Sequence, residues 1–329
     1  MSAPLFPTLD EFLRSTVVAT DLAAVLSAAA RGGAQIADEL RLAGLAGVLG
    51  TAGGTNVQGE TVQKMDLRSN EILVETFRDG GMVSLVASEE MRDPLEIRGG
   101  GPLSVLFDPL DGSSNLDVDG CVGSIFSVHG LAPGKPPGRQ ALLRRGMDQA
   151  AAGYLSYGPA TVLVFSVGSG THQFTYDPRR KEFLMTARDI RIPRRGRVYA
   201  ANEGLRSFWH ASTRRFIDHL QTPDRAEERP YSTRYSGCLV ADAHRILQEG
   251  GIYVYPADTR DPNKPHGKLR LLYECAPLAM IVEQAGGEAS TGREPICQVL
   301  PLELHQRVPL YIGSPIEVAL AEDFEAGRC

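Results

Sequence analysis

The chain contains the segment Phe107-Asp108-Pro109-Leu110-Asp111-Gly112-Ser113-Ser114-Asn115-Leu116-Asp117, which combines acidic, small and turn-forming residues. An apolar run at residues 103–107 leads into it and predicts a buried strand. Asp108 and Asp111 stand three residues apart in a turn that Pro109 stiffens. Their carboxylates and the Leu110 carbonyl can converge on one hard cation. The small residues Gly112, Ser113 and Ser114 can offer backbone N–H groups to a phosphate. The segment therefore predicts metal ligands beside a phosphate cradle.

The alternative for this segment is an ordinary surface turn, because Asp, Pro, Gly, Ser and Asn are common turn formers. Two features favour a site. The polar cluster directly follows a predicted strand, where the ligand sites of α/β proteins concentrate. A second acidic pair, Glu89-Glu90, also ends an apolar run, at residues 82–87. Four carboxylates gathered at two strand ends cost several kcal/mol unless cations neutralise them.

Length, charge and cysteine content narrow the class of protein. The 329 residues allow one or two domains with an ample core. The net charge of −6 argues against nonspecific binding to nucleic acid or anionic membranes but leaves anionic small-molecule substrates open. Five scattered cysteines with no C-x-x-C pattern indicate reduced thiols in a cytoplasm. We expect no signal peptide and no membrane span, because neither pattern occurs.

Residue patterns predict a first half that begins with helices and continues mainly with strands. A capping box at Thr8-Leu9-Asp10-Glu11 opens a helix expected to run to residue 30, with Gly32-Gly33 interrupting it and a second helix over residues 34–45. Residues 44–59 are rich in Gly, Thr and Asn and predict a mobile or functional loop, and a helix over residues 65–77 follows. Later strands are predicted at residues 124–129, 152–157, 161–167, 172–176 and 182–185.

The second half alternates strands with helices, which is typical of an α/β protein. Strands are predicted at residues 198–201, 252–255 and 309–312, and helices at residues 207–220, 240–248, 271–285 and 316–324. The basic stretch at residues 188–197 predicts a boundary. We therefore divide the chain into residues 1–195, which hold the metal and phosphate motif, and residues 196–329, which supply the remaining polar clusters.

The second half places polar side chains beside its predicted strands and helices. Tyr253 and Tyr255 share one strand face because they are two residues apart. Each such side chain alone is more typical of structure than of function, but together they supply the donors and charges that a second phosphate needs, and Glu274 can return to the acidic cluster. The set comprises Asn202, Arg234, Tyr235, Tyr253, Tyr255, Lys268 and Glu274.

The motif D-P-L-D-G-S-S-N at residues 108–115 resembles the signature of the lithium-sensitive, magnesium-dependent phosphatase superfamily, and class I fructose-1,6-bisphosphatase in particular. Further motifs occur in that family's order and at roughly its spacing. The likeness extends from about residue 44 to about residue 318. The motifs are G-T-A-G-G-T-N-V-Q-G from residue 50, K-M-D-L-R-S-N-E from 64, N-E-G from 202, R-Y-x-G from 234, G-G-I-Y-V-Y-P from 250, G-K-L-R-L-L-Y-E-C from 267 and H-Q-R-V-P-L-Y-I-G-S-P from 305.

The resemblance implies a layered α/β/α/β/α sugar-phosphatase fold with a mixed sheet in each of two subdomains, and a role for each matching residue. The implied magnesium ligands are Glu89, Asp108, the Leu110 carbonyl, Asp111 and Glu274. The implied catalytic acids are Glu90 and Glu71, which activate the attacking water, and Asp66, which holds a further metal. The implied substrate contacts are Asp111, Gly112, Ser113, Ser114, Asn202, Tyr235, Tyr253, Tyr255, Lys268 and, from a neighbouring subunit, Arg234. Residues 44–71 resemble the family's mobile loop.

The implied reaction is direct in-line attack of water on the 1-phosphate of fructose 1,6-bisphosphate, in gluconeogenesis or the Calvin cycle. The family implies two or more Mg²⁺ ions per subunit, Mn²⁺ as a substitute, a cytoplasmic homotetramer, and no nucleic-acid or membrane partner. The alternatives are a sedoheptulose-1,7-bisphosphatase, an enzyme for both substrates, or a non-catalytic phosphate-sensing subunit. Three positions depart from the family pattern: Leu205 replaces a frequent Tyr, Cys238 a Ser, and Glu71 an Asp.

Inhibition by AMP is a further property of many family members. Their remote AMP site uses a G-T-G-E-M-T turn, a Lys-Tyr pair before the D-P-L-D strand and an Arg after it. Here residues 16–30 contain no glycine and no cation, and Gly101-Pro102 and Gly130 stand at the other positions. The resemblance therefore predicts no remote AMP inhibition.

Overall fold

The computed structural model describes residues 6–16, 18–47, 49–55, 61–131, 138–262 and 265–329. Two mixed β-sheets alternate with three layers of helices, which confirms the predicted α/β/α/β/α fold. Within the described residues, no helix combines the length and the apolar character that a membrane span requires.

The first layer is helical. It contains α1 (Leu9–Ser15), α2 (Thr20–Ala46) and α3 (Lys64–Asp79), with a hairpin of β1 (Thr51–Thr55) and β2 (Thr61–Gln63) before α3. The predicted capping box is present, since the Thr8 hydroxyl accepts from the Glu11 N–H and the Glu11 carboxylate accepts from the Thr8 N–H. The loop expected at residues 44–59 is instead partly the end of α2 and partly this hairpin, and residues 48 and 56–60 of that prediction lie outside the described residues.

The prediction for the first two helices was wrong in two respects. The chain leaves the helix at residue 16 and re-enters it at Thr20, where the β-branched residues 16–18 have weak helix propensity. Gly32 and Gly33 do not interrupt α2. A Cβ on Gly33 would lie 2.1 Å from Leu155 Cδ2, and one on Gly32 would lie 2.9 Å from Leu73 Cδ2. The glycines therefore allow α2 to pack closely against the first sheet and α3.

Among the described residues, the first sheet has eight strands: β3 (Val83–Ser88), β4 (Leu95–Glu96), β5 (Leu103–Asp111), β6 (Val122–Gly130), β7 (Ala151–Tyr157), β8 (Thr161–Ser166), β9 (His172–Asp177) and β10 (Glu182–Ala187). A short helix, α4 (Arg139–Leu142), lies between β6 and β7. The strand order is β10-β9-β8-β7-β6-β5-β3-β4. Neighbours are antiparallel except β3 and β5, which are parallel.

The second half contains α5 (Ala211–Gln221), α6 (Leu239–Glu249), α7 (Ala276–Gln284) and α8 (Pro315–Glu325). The strands described in this half are β11 (Val198–Ala200), β12 (Ser232–Thr233), β13 (Ile252–Tyr255), β14 (Glu288–Ser290) and β15 (Leu310–Gly313), in the order β12-β11-β13-β15-β14. Two predicted helices begin later than expected, because a 3₁₀ turn precedes α5 and a π-helical turn, Leu271–Cys275, precedes α7. Pro277 lies in the first turn of α7, where proline is tolerated.

Three large apolar layers, and a smaller fourth cluster around Leu106 and Tyr273, are found in the described part of the chain. One lies between α1–α3 and the first sheet, and includes Phe12, Ile36 and Phe77. A second fills the space between the two sheets, where α6 and α7 lie. The third packs α5 and α8 on the outer face of the second sheet. The edge between the two sheets is where the predicted site residues gather.

Candidate active site

The acidic cluster is built by the only parallel strand pair recorded in the described part of the first sheet. Ser88 of β3 pairs with Phe107 of β5, so the next residues, Glu89 and Asp108, emerge side by side. Glu274 enters from the π-helical turn before α7. Carboxylate oxygens of Glu89, Asp108 and Glu274 lie within 4.8 Å of one another, in an arrangement that suits a metal ion. An all-oxygen set of this kind fits a hard divalent cation such as Mg²⁺.

The carboxylates of the cluster are withdrawn from solvent. Burial, followed by repulsion from Glu89 and Glu274, holds the pKa of Asp108 well above its usual range. Burial, followed by repulsion from Glu89, raises the pKa of Glu274 to about 8. Close carboxylates that repel one another in a low-dielectric pocket are stabilised by cationic charge. The donor set therefore fits a bound divalent cation on physical grounds.

Arg270 is a site residue that the sequence did not reveal. Its side chain is buried, and Nη1 lies 2.9 Å from Glu89 Oε1 and 4.0 Å from Glu274 Oε2. The Arg270 backbone N–H also donates to Glu274 Oε2 at 2.5 Å. The signal that could have found it is its position four residues before Glu274, which places the two on one side of a helical turn. Arg270 thus offsets part of the negative charge of the cluster.

Asp111 lies near the three clustered carboxylates, where its charge helps to raise the pKa of Asp108 and of Glu274, and its own side chain is hydrogen-bonded at the start of α6. Its Oδ2 accepts from the Val240 N–H at 2.6 Å and from the Cys238 thiol at 3.0 Å. Burial raises the pKa of Asp111. The Leu110 N–H donates to Asp108 Oδ1 at 2.9 Å, which fixes the turn between the two aspartates. The expected roles of Asp111 and of the Leu110 carbonyl as metal ligands stay predictions.

The predicted phosphate cradle lies between the acidic cluster and α6. Gly112 has φ +75°, and a Cβ there would lie 2.7 Å from Cys238 Cβ, so both its conformation and its packing require glycine. A 3₁₀ turn, Ser113–Val118, begins directly after it. Asn115 Nδ2 donates to the carbonyl oxygens of Cys121 and Ser236 and thereby ties the cradle to the second half of the chain. Ser113 is half-buried and Ser114 is exposed.

The structure separates the two acids predicted on α3. Asp66 is buried and accepts from the Gln63 N–H at 2.8 Å, and burial, with a smaller contribution from nearby Glu89, raises its pKa to about 6. Glu71 is exposed and forms an ion pair with Arg68 at 3.5 Å. Five residues along a helix correspond to a rotation of about 140° between side chains, which explains the difference. The two acids therefore lie in different surroundings, with Asp66 near Glu89 and Glu71 exposed, and their expected catalytic roles stay predictions.

Glu90 follows Glu89 at the end of β3. Its backbone N–H donates to the Ser88 hydroxyl at 3.2 Å, and the residue is half-buried at the edge of the acidic cluster. Lys268 lies close enough to Asp66 and Asp111 to lower the pKa of both, although burial dominates both shifts. A carboxylate and a cation thus lie near the cradle, and the expected role of Glu90 as a general base stays a prediction.

A second polar group forms where three parallel strands end at one edge of the second sheet. β11 lies between β12 and β13 and runs parallel to both, so Asn202, Tyr235 and Tyr255 emerge together. Burial raises the pKa of Tyr235 to about 12, with further effects from neighbouring Tyr255 and a hydrogen bond to Asn202. Arg234 is exposed, and its Nη1 donates to the Thr233 carbonyl at 2.8 Å.

Tyr253 is more deeply buried than Tyr255, and its expected role as a substrate contact stays a prediction. It shares its strand face with Tyr255, as predicted, but it is buried in the apolar layer between the sheets. Tyr255, the last residue of β13, is half-buried and packs against the edge of the same layer. Burial holds the pKa of the Tyr253 hydroxyl well above its usual range. Tyr253 therefore packs in the core behind the site, and Tyr255 is the tyrosine of this strand that is partly exposed at the surface of the site.

The layered fold and the acidic cluster beside a Gly-Ser-Ser turn define a metal-dependent phosphatase of the sugar-phosphatase class. Family profiles for the fructose-1,6-bisphosphatase N-terminal and C-terminal domains match residues 8–188 and 192–326. The chain therefore belongs to the fructose-1,6-bisphosphatase family.

Individual relatives agree with this assignment. A fructose-1,6-bisphosphatase class 1 of Chlorobium chlorochromatii is 48% identical over 295 residues, which are 88% of this chain and 87% of that protein. The enzyme of the same description from Thermosynechococcus vestitus is 47% identical over 311 residues, covering 93% and 87% of the two chains. The crystal structure of Leishmania major fructose-1,6-bisphosphatase in holo form superposes with a TM-score of 0.93 at 36% identity, covering 98% of this chain and 100% of that one.

Proposed function

We propose that this protein hydrolyses the 1-phosphate of D-fructose 1,6-bisphosphate to fructose 6-phosphate and inorganic phosphate. The observation that carries the proposal is the buried cluster of Glu89, Asp108 and Glu274, whose carboxylate oxygens lie within 4.8 Å of one another beside the phosphate cradle. The polar group of Asn202, Tyr235 and Tyr255 is linked to that cradle by a hydrogen bond from the Asn115 side chain to the carbonyl of Ser236, the residue after Tyr235. Two anion-binding groups on one surface suit a substrate with two phosphates.

The cation that the cluster would hold is Mg²⁺, with two or more ions per subunit and Mn²⁺ as a substitute. Glu89, Asp108 and Glu274 would hold it, joined by the Leu110 carbonyl and by Asp111 after its side chain turns from α6. Asp66 would hold a further ion. When bound, such cations neutralise phosphate oxygens and lower the pKa of coordinated water.

The remaining steps would be carried out by backbone and side-chain groups of the protein itself. Backbone N–H groups of Gly112, Ser113 and Ser114 would hold the phosphate that is cleaved. Glu90 would accept the proton of the attacking water, and Glu71 would assist after leaving Arg68. The attack is in line and direct, so no residue forms a covalent bond to phosphorus.

The non-reacting phosphate would bind Asn202, Tyr235 and Tyr255, with Lys268 on the sugar. Arg234, which is exposed in the single chain, would reach this phosphate in a neighbouring subunit, as expected of a homotetramer. We assign residues 1–195 to a phosphatase subdomain and residues 196–329 to a substrate-binding subdomain. A cytoplasmic location and a role in gluconeogenesis or the Calvin cycle complete the proposal.

The test is phosphate release by the purified protein from fructose 1,6-bisphosphate with Mg²⁺, with Mn²⁺ and with EDTA. Turnover with either metal and none with EDTA supports the proposal. Faster turnover of sedoheptulose 1,7-bisphosphate would reassign the substrate. Tight binding of both bisphosphates without turnover in either metal would identify a phosphate-sensing subunit instead.

A variant pair sharpens this test. Glu274→Gln removes a charge from the cluster and is expected to abolish metal-dependent turnover. Glu283→Gln changes the same chemical group nine residues later, in α7, outside the carboxylates that converge within 4.8 Å, and should retain turnover. Equal activity of the two variants would show that the cluster is not the catalytic centre.

A further inference from the structure

Arg260 lies beside the polar group at the edge of the second sheet, in the segment that follows β13. Its Nε and Nη2 lie 3.0 and 2.7 Å from Asp258 Oδ2, and its backbone N–H donates to Asp258 Oδ1 at 3.0 Å. The Asp258 side chain is 6% exposed, whereas that of Arg260 is 35% exposed. A buried carboxylate therefore holds one edge of a guanidinium whose remainder faces solvent.

The segment that carries Arg260 is fastened to the turn after Asn202. The Thr259 N–H and the Thr259 hydroxyl both donate to the Phe208 carbonyl at 3.0 Å. Asp258 forms an isolated β-bridge with the buried Trp209. The hydrogen bonds already fix the guanidinium in the folded protein, so binding a ligand costs little further side-chain entropy. Arg260 is therefore preorganised for a ligand.

The Arg260 side chain also reaches Tyr255, a residue of the proposed subsite for the non-reacting phosphate. Tyr255 in turn neighbours Tyr235, which is hydrogen-bonded to Asn202. An arginine has five N–H donors; Asp258 accepts from Nε and from Nη2, and the Tyr255 side chain forms one further hydrogen bond. Donors thus remain for an anion at the Tyr255 end of the group.

We propose that Arg260 determines substrate specificity by binding the non-reacting phosphate of the sugar bisphosphate, together with Asn202, Tyr235 and Tyr255. This inference rests on the proposed function of the site. The planar guanidinium matches a phosphate with two parallel charge-assisted hydrogen bonds. Arg260 belongs to the same chain as the acidic cluster, so it supplies this charge without a neighbouring subunit. Arg260 also compensates for the hydroxyl donor that is lost because Leu205 replaces the frequent Tyr three residues after Asn202.

The test compares Arg260→Ala and Arg260→Gln with Arg245→Ala, which removes an exposed arginine paired with Glu249 on α6. For the Arg260 variants we expect KM for fructose 1,6-bisphosphate and Kd for fructose 6-phosphate to rise about 10-fold or more, since a charge-assisted hydrogen bond is lost. The kcat should stay unchanged because this phosphate does not react. KM for fructose 1-phosphate, which lacks that group, should also stay unchanged. Arg245→Ala should change none of these constants.

Unchanged KM and Kd in both Arg260 variants would overturn the proposal. An equal loss with fructose 1-phosphate would also overturn it, because that result marks a structural role of the Asp258 pair. Arg260→Gln keeps two N–H donors and carries the test if Arg260→Ala does not fold. Fructose 6-phosphate binding, measured by calorimetry, needs no turnover. A wild-type protein without bisphosphatase activity would therefore refute the proposed function. The role of Arg260 would then still be tested by the Kd for fructose 6-phosphate.

Discussion

Arg270 Nη1 lies 2.9 Å from Glu89 Oε1, and both side chains are withdrawn from solvent. A buried ion pair is weak support for stability in itself, but removing one partner leaves an uncompensated buried charge at a cost of about 3–5 kcal/mol. Here the cation faces Glu274 as well, 4.0 Å away. One guanidinium cannot offset several carboxylates, so the remaining negative charge must be relieved by protons or by metal ions.

The first prediction concerns pH. Glu274 has a folded-state pKa of about 8 against an ordinary value of 4.5, and the pKa of Asp108 is also raised. An acid whose pKa is raised on folding binds its proton more tightly in the folded state, so stability falls as pH increases from about 4.5 to about 8. We expect the Tm of the metal-free protein to fall across this window.

The matched measurement is the same Tm series in Mg²⁺. A bound cation favours the ionised carboxylates and should therefore reduce the fall of Tm with increasing pH. The difference between Tm in Mg²⁺ and Tm in EDTA should therefore grow with pH. Buried His129, whose pKa burial lowers to about 4, contributes in the opposite direction equally in both buffers and cancels in this difference. A difference that is constant from pH 5 to pH 8 would contradict the assignment of the cluster.

The second prediction concerns Asp111→Asn. The substitution removes a charge placed beside the phosphate cradle, but its amide oxygen can still accept from the Val240 N–H, so the start of α6 should survive. We expect turnover to fall at least ~10³-fold, because metal charge contributes several kcal/mol of transition-state stabilisation. Steady-state rates at saturating Mg²⁺ decide the matter, and retention of more than a tenth of the wild-type rate would reject the role.

The third prediction concerns Glu90→Gln. An amide cannot accept the proton of the attacking water, so kcat should fall by about 10²- to 10⁴-fold while binding of metal and substrate is kept. Mn²⁺ binding, measured by electron paramagnetic resonance, separates a role of Glu90 as the base from a role as a metal ligand. If the variant loses activity only because it binds metal more weakly, Glu90 is a ligand and not the base.

The fourth prediction concerns the packing of α2. Gly33→Ala places a Cβ 2.1 Å from Leu155 Cδ2, and this overpacking should lower the free energy of unfolding by about 1–3 kcal/mol. Gly44→Ala is the control on the same helix, because its Cβ would meet nothing closer than Leu49 Cδ1 at 3.7 Å. Helix propensity alone should make that variant about 0.5–1 kcal/mol more stable. Equal effects in denaturant titrations would contradict this account of the glycines.

The sequence predicted features that depend on neighbouring residues and missed those that depend on packing between distant segments. Two acidic strand ends could be expected to meet, because β3 and β5 carry the apolar runs of adjacent buried strands. The inward path of Arg270 and the burial of Tyr253 beneath α6 depend on how helices cover the sheets. Gly32-Gly33 carries a helix-breaking signal in the sequence, but the close approach of Leu73 and Leu155 reverses its meaning.

The last prediction is that AMP does not inhibit this protein at a remote site. A phosphate bound at the junction of α1 and α2 would need free donors there. The Thr16 N–H and hydroxyl both donate to the Phe12 carbonyl, at 3.0 and 2.8 Å, and the Val18 N–H donates to the Thr16 carbonyl at 2.8 Å. These donors are therefore already engaged within the chain.

Two arginines that lie outside residues 16–30 do contribute positive charge at this junction. Arg14 and Arg31 line a cavity of about 560 Å³ there, but Asp10 shares the wall and offsets part of their charge. Initial rates at increasing AMP should show no noncompetitive inhibition in the millimolar range. Weak inhibition that competes with substrate is compatible with this expectation, since the phosphate of AMP can enter the active site. Cooperative, noncompetitive inhibition at micromolar AMP would show instead that Arg14 and Arg31 build an anion site without the glycine turn. In that case Arg31→Ala should abolish the inhibition and leave the uninhibited rate unchanged.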